Sequence, residues 1–332
     1  MRSVTEPSAD SLSPRRLVTV LLPMLSGGCR DLVREAADAA GFACAFCESE
    51  AEAQALLPET EIYFGPGIPL DGADRLRWIA LPSAGIEPFH RPGALPDGVA
   101  LTNAAGAYGV TIAEHIVMVT LEMMRRRADY LDIVARREWR RDLPVRAIHG
   151  TKAVIVGTGD IGREAARRLR AFAPAEITGV SRSGVCAEPL FDRMLPVSRI
   201  DEALPGAELL ILCLPGTPET RDLLDARRLS LLPGGAFLVN VGRGSCLDED
   251  AVLAALREGR LAGAALDVFR QEPLPADSPL WETPGLIVTP HISGNMTLDW
   301  TLDRVVGIFT DNLKRYAAGA PLTHRVEPAR GY

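Results

Sequence analysis

The chain has 332 residues, 47% of them hydrophobic and 24% charged, the balance of a globular protein long enough for two domains with cores of their own. A formal net charge of −7 argues against the basic footprint of a nucleic-acid binder, and no apolar run approaches the ~18 residues that a membrane span needs. Small-molecule chemistry in the cytoplasm is the expectation, since the six cysteines (Cys29, Cys44, Cys47, Cys186, Cys213, Cys246) sit mostly in apolar runs, as reduced intracellular thiols do.

Arg15 and Arg16 precede the apolar "LVTVLLPML", a faint echo of a secretory leader. The polar lead is long, however, and Pro23 interrupts the run, so a first buried strand after a disordered tail is expected instead. From Leu17 apolar runs alternate with helical patterns: "LVTVLLPML", a helix in "RDLVREAADAAG", "FACAFCE", a short helix around "EAEAQALL", then "EIYFGPG", "LRWIALPS" and "VALTNA". This spacing predicts a parallel sheet covered on both faces and ending near Gly109. Cys44 and Cys47 in "CAFC" have neither a second Cys pair nor a nearby His to complete a tetrahedral site, so they read as small strand residues and no metal is expected.

A long helical pattern, apolar along most of its length, runs from about Ile112 to Arg127. It continues into "YLDIVARREWRRDLP", which is charged and lacks a clean core stripe. A second alternating block extends from "TKAVIVGTGDIG" to "GLIVTPHISG", and "DWTLDRVVGIFTDNLKRYAAG" closes the chain as an amphipathic helix stopped by Gly319 and Pro321. That helix needs an apolar partner, and the N-terminal sheet is available for it.

"KAVIVGTGDIGREAARRL" reads as a strand, then Gly157-x-Gly159-x-x-Gly162, then a helix. The glycines allow a tight turn, close approach of the backbone to a pyrophosphate and close packing of helix on strand, with the phosphate at the positive helix N-terminus. An NAD-specific site would offer Asp or Glu at the end of the second strand, but "EITGVSRSG" supplies Ser181, Arg182 and Ser183 there. A carboxylate repels a 2′-phosphate, whereas Arg pairs with it and serines donate to it. NADPH is therefore the expected cofactor, with NAD possible if Arg182 only stacks on the adenine or faces solvent.

Downstream lie Arg243 in "NVGRGS", Glu272 in "DVFRQEPLP" and His291 in "VTPHISG". Each has an ordinary structural reading when taken singly. Together they end apolar runs of one α/β block, where open sheets of this type place ligands.

With "LPSAGIE", "TNAAGAYGVTIAEHIV", "GTGDIG", "LCLPGTPETRDLL", "LVNVGRGSCLDEDAVLAALREGRLAGAALDVF", "EPLPADSPLW" and "VTPHISG" in order, the chain resembles the D-2-hydroxyacid dehydrogenase family from about residue 17 to its end. The resemblance implies two Rossmann- or flavodoxin-like doubly wound parallel-sheet domains, the nucleotide-binding one inserted in the substrate domain. Residues 1–109 and 296–332 would form the substrate domain and 110–295 the NAD(P)-binding domain, with a dimerisation arm at about 120–147 and a homodimer as the assembly.

By the same resemblance Arg243 would bind the substrate carboxylate and carbonyl oxygen, His291 would donate the proton and Glu272 would orient His291. The residue types suit these roles. Reducing a 2-oxo acid delivers hydride to the carbonyl carbon and a proton to its oxygen, His works as an acid near neutral pH, and Arg matches a planar carboxylate. Ser83, Ala84 and Gly85 would meet the substrate carboxylate. Leu214, Pro215, Val241 and Gly242 would line the cofactor, and Asp267 would sit near its nicotinamide amide. Asp160, Ile161, Ile112 and Gly294 would complete the cofactor site.

Trp139 on the arm would either reach into the partner's substrate pocket, as in hydroxypyruvate-reducing relatives, or pack within the dimer. The implied activity is NADPH-dependent reduction of a small 2-oxo acid, glyoxylate or hydroxypyruvate. Alternatives are a phosphoglycerate, phosphonate or D-lactate enzyme, or a dinucleotide-sensing corepressor. "HISGNMTLDW" departs from the family's usual continuation, so Asn295 and Met296 leave the substrate side chain open.

Overall fold

The apolar runs become two all-parallel sheets. A computed structural model describes residues 16–89, 91 and 93–328; the polar lead expected to be disordered lies outside them. The first sheet contains β1 (Leu17–Val20), β2 (Ala43–Phe46), β3 (Thr60–Phe64), β4 (Trp78–Ala80) and β5 (Ala100–Thr102) in the order β2-β1-β3-β4-β5. Helix α1 (Gly27–Ala39) starts on Ser26, whose hydroxyl accepts from Cys29 N, and α2 (Glu50–Leu56) starts on Ser49, which accepts from Glu52 N. The runs "EIYFGPG", "LRWIALPS" and "VALTNA", successive in the sequence, become β3, β4 and β5, which follow one another without α-helices. Their connections contain "GPGIPLDG" and "PSAGIEP", whose Pro and Gly residues cannot continue a helix.

The second sheet is larger. It comprises β6 (Lys152–Val156), β7 (Glu176–Ser181), β8 (Arg193–Pro196), β9 (Leu209–Leu212), β10 (Ala236–Asn240), β11 (Leu261–Leu266) and β12 (Leu286–Val288), ordered β12-β11-β10-β9-β6-β7-β8. Its helices are α3 (Gly109–Met124), α4 (Arg127–Ala135), α5 (Asp160–Arg170), α6 (Ala226–Ser230) and α7 (Glu249–Arg257). The central strands β9 and β10 are buried at every position, as strands covered on both faces must be. The charged stretch after α3 is helical only through α4, where Ile133 alone is buried, and residues 136–147 form no regular element.

The chain separates into two compact units, one running to Ala104 and resuming at Leu302, the other spanning Ala105–Thr301. The expected limits were 109/110 and 295/296. Helix α8 (Asp299–Ala317) supplies apolar side chains to the N-terminal sheet: Phe309 stacks on Phe64 at 4.1 Å between ring centroids and on Trp78 at 5.4 Å. Such aromatic pairs contribute about 0.5–1.5 kcal/mol beyond the area they bury. Among the described residues no helix is long and apolar enough to cross a membrane.

Candidate active site

The chain order reverses between β6 and β9: β7 and β8 follow on one side of β6, β9 to β12 on the other. Ligands of open α/β sheets bind beyond the carboxyl ends of strands at such a switch point. Gly157 lies there with φ +99°, and a Cβ on it would stand 2.5 Å from the Cys213 carbonyl oxygen at the end of β9. A Cβ on Gly162 would collide with the Gly157 carbonyl, whereas one on Gly159 would meet nothing within 4 Å. Two of the three glycines are thus required by packing and the third leaves open space. Gly159 is the N-cap of α5 and gives no side-chain cap, so the first-turn N–H groups are not capped from that residue. Ile161 is part of this first turn. The Asp160 carboxylate accepts from Gly109 N at 2.8 Å, which ties the start of α5 to the start of α3.

At the end of β7 the Ser181 hydroxyl accepts from Gly184 N at 3.0 Å and so shapes its own turn, while Arg182 and Ser183 are exposed. Leu214 and Pro215 follow β9, and a Cβ on Gly242 would lie 2.5 Å from the Leu214 carbonyl oxygen, so the turns after β9 and β10 touch through backbone. Gly294 faces Ile112 and Tyr108, with 3.2 Å from its notional Cβ to each side chain. Val241 is buried.

Three adjacent strands bring the charged residues to one edge. After β10, fully buried Asn240 organises the Arg243 turn: its Oδ1 accepts from Gly242 N and its Nδ2 donates to the Arg243 carbonyl, both at 3.1 Å. Arg243 is half-buried and donates from Nη1 to Gly242 O at 2.7 Å. Gly244 is compulsory, because a Cβ there would strike the Phe269 backbone.

After β11, the carboxylate of Asp267 (1% exposed) accepts Ile292 N at 2.9 Å and Thr289 Oγ1 at 2.6 Å on Oδ1, and Ser293 N at 3.0 Å on Oδ2. Its carbonyl accepts His291 N at 2.9 Å. Three successive N–H groups after β12 therefore converge on one residue, and His291 among them holds the left-handed φ of +52°. A non-glycine residue stays in that region only when its surroundings over-determine it, a condition common at functional sites.

Glu272 links the same two loops. Its Oε1 accepts Phe269 N at 2.8 Å and its Oε2 bonds Nδ1 of His291 at 2.7 Å. An ionised carboxylate only accepts, so Nδ1 carries the proton and Nε2 is the ring nitrogen left for chemistry. An imidazole oriented in this way presents Nε2 for proton transfer. Beside the pair lies a cavity of about 420 Å³ lined by Phe269, Pro273, Leu274, Trp281 and Pro290 as well as the pair itself.

In the other unit, Ser83 donates from Oγ to Gly85 O at 2.9 Å, and Asn103 Nδ2 donates to Ala84 O at 2.7 Å. The loop after β4 is thereby pinned through its carbonyls. Trp139 is 91% exposed.

The family model for D-isomer specific 2-hydroxyacid dehydrogenase, NAD binding domain, matches residues 117–293. The chain belongs to the D-isomer specific 2-hydroxyacid dehydrogenases. The dehydrogenase is 32% identical over 252 residues to glyoxylate/hydroxypyruvate reductase A of Serratia proteamaculans, a match covering 73% of this chain and 75% of that protein. Among solved structures it resembles a D-isomer specific 2-hydroxyacid dehydrogenase family protein from Aeromonas salmonicida (TM-score 0.85, 32% identity, 95% of this chain and all of that one). It also resembles an NADPH-dependent glyoxylate/hydroxypyruvate reductase from Sinorhizobium meliloti in complex with NADP and sulfate (TM-score 0.79, 26% identity, 96% of this chain and all of that one).

The dehydrogenase is thus an NAD(P)-dependent oxidoreductase acting on CH–OH donors. Its own residues fit a dinucleotide, since the glycine turn at the switch point leaves open space at Gly159 against an uncapped helix start. Sequence reasoning missed Asn240, Thr289 and His115, whose Nε2 lies 3.4 Å from Thr289 Oγ1. The one available signal was Asn240, a polar residue ending the otherwise apolar "AFLVN".

Proposed function

We propose that this dehydrogenase reduces small 2-oxo acids, glyoxylate and hydroxypyruvate foremost, to D-2-hydroxy acids with NADPH. The observation that carries the reading is the 2.7 Å pairing of His291 Nδ1 with Glu272 Oε2 at the edge shared with the glycine loop. The names of the Serratia and Sinorhizobium relatives support the substrate class, and the second also supports the cofactor.

A nicotinamide held at the glycine turn would supply the hydride for the carbonyl carbon. His291 acts as an imidazolium: with Nδ1–H held by Glu272, it gives its second proton from Nε2 to the carbonyl oxygen, is left as the neutral Nδ1–H ring, and takes a proton back at Nε2 from water. Arg243 binds the substrate carboxylate and polarises the carbonyl. Ser181, Arg182 and Ser183 take the ribose 2′-phosphate, which an acidic residue would repel. Leu214, Pro215, Val241, Gly242, Ile112 and Gly294 line the cofactor, with Asp160, Ile161 and Asp267 beside it.

The protein acts as a homodimer through the arm at about 120–147, in which Trp139 offers an exposed indole to a second copy. The cytoplasmic assignment rests on cysteine usage, with all six thiols free.

A panel of 2-oxo acids assayed with NADPH and with NADH by loss of nicotinamide absorbance tests this reading. Turnover of glyoxylate or hydroxypyruvate with higher kcat/KM for NADPH is expected. No turnover of any 2-oxo acid, or a clear preference for NADH, overturns the corresponding part.

A further inference from the structure

The support of the His291 loop extends to a residue on a different element. Thr289 Oγ1 spends its one proton on Asp267 Oδ1 at 2.6 Å, so toward Nε2 of His115, 3.4 Å away, it can only accept. His115 lies on α3, half-buried, and burial holds its ring below the usual histidine range, against the opposing pull of Asp267 and Glu122. A neutral ring has one N–H, and this network assigns it to Nε2.

We propose that His115 is a positioning residue for His291. The path is continuous: His115 Nε2–H donates to Thr289 Oγ1, whose proton goes to Asp267, whose carboxylate and carbonyl fix the N–H groups of Ser293, Ile292 and His291. A threonine hydroxyl alone can turn among staggered wells. Held by His115, it keeps its proton on the carboxylate, and the carboxylate keeps the left-handed turn that aims the imidazole. The inference rests on His291 being the proton donor, and its readouts are chosen to separate the two ideas.

The test compares His115→Phe, which fills the space without an N–H, with His115→Gln, whose amide can place a donor near Nε2. Each is assayed for kcat and KM with the best 2-oxo acid, for NADPH binding, and by proton NMR for the downfield Nδ1–H shared by His291 and Glu272. The Phe variant is expected to lose about ten- to hundredfold in kcat, the scale of a small misplacement of a reacting group, with little change in NADPH affinity and a shifted or broadened resonance. The Gln variant is expected to recover most of both. Parental kcat and resonance in the Phe variant, or a Gln variant as impaired as Phe, overturn the proposal. Should the Phe variant not fold, Thr289→Val with Thr289→Ser as its rescue reads the same link. An enzyme that reduces no 2-oxo acid refutes the proton-donor reading, whereas an unmoved resonance refutes the positioning role.

Discussion

Glu272 holds His291 from one carboxylate oxygen and the start of its own loop from the other, at 2.7 Å to Nδ1 and 2.8 Å to Phe269 N. Both oxygens are therefore committed, and the imidazole is fixed relative to the end of β11. His291→Ala should lower kcat by about 10²- to 10⁴-fold with NADPH affinity nearly intact by fluorescence titration. Glu272→Gln should show a smaller loss, because the amide can still meet Nδ1 without its charge. Turnover close to parental in His291→Ala would remove the acid assignment.

Arg243 stands on a turn shaped by Asn240. Arg243→Ala should raise KM for the 2-oxo acid and lower kcat together if, as proposed, the guanidinium serves both the carboxylate and the carbonyl. Arg243→Lys should recover little, because a point charge cannot reproduce a two-pronged contact. Kinetics unchanged by either substitution would show that the charge serves elsewhere.

Arg182 is exposed at the end of β7, where it is proposed to take the 2′-phosphate. Arg182→Ala should weaken NADPH about ten- to hundredfold, the worth of a charge-assisted hydrogen bond of about 1.5–3 kcal/mol, and leave NADH nearly unaffected. Equal losses with the two cofactors would contradict a contact to the 2′-phosphate.

Gly244 has no room for a methyl group against the Phe269 backbone. Gly244→Ala should cost about 1–3 kcal/mol, as overpacking does, seen as a lower Tm together with loss of activity, because the turns carrying Arg243 and Glu272 would separate. An unchanged Tm would mean that the two loops are less tightly apposed than the structure has them.

Burial holds His115 and His324 below the usual histidine range, with Arg304 adding to the effect at His324. For each, the unfolded chain binds a proton at a higher pH than the folded one. Stability therefore rises with pH through the interval between the folded value and the ordinary one near 6.5 and is lost as pH falls through it. Tm followed from pH 7.5 to 5 should fall less steeply in His115→Gln and His324→Gln than in the parent. Parallel curves would show that neither ring is kept neutral by folding.

Much of this molecule follows from local pattern. Runs apolar at every position read as strands buried on both faces, Gly157-x-Gly159-x-x-Gly162 reads as a dinucleotide turn because Gly157 takes a left-handed φ, Gly162 packs against the Gly157 carbonyl and Gly159 leaves open space, and the face of α8 shows that it must be covered. Local pattern cannot say which strands are neighbours, because order in a parallel sheet is set by long crossovers and by packing between distant segments. Only the tertiary structure brought the ends of β10, β11 and β12 side by side, gave the Glu272–His291 pair its geometry, and gave Phe309 its partners Phe64 and Trp78. It also tied His115 to Thr289, 174 residues further along. A histidine on a helix and a threonine after a strand carry no mutual signal in sequence, since the bond between them exists only once α3 and β12 are fixed in the same fold.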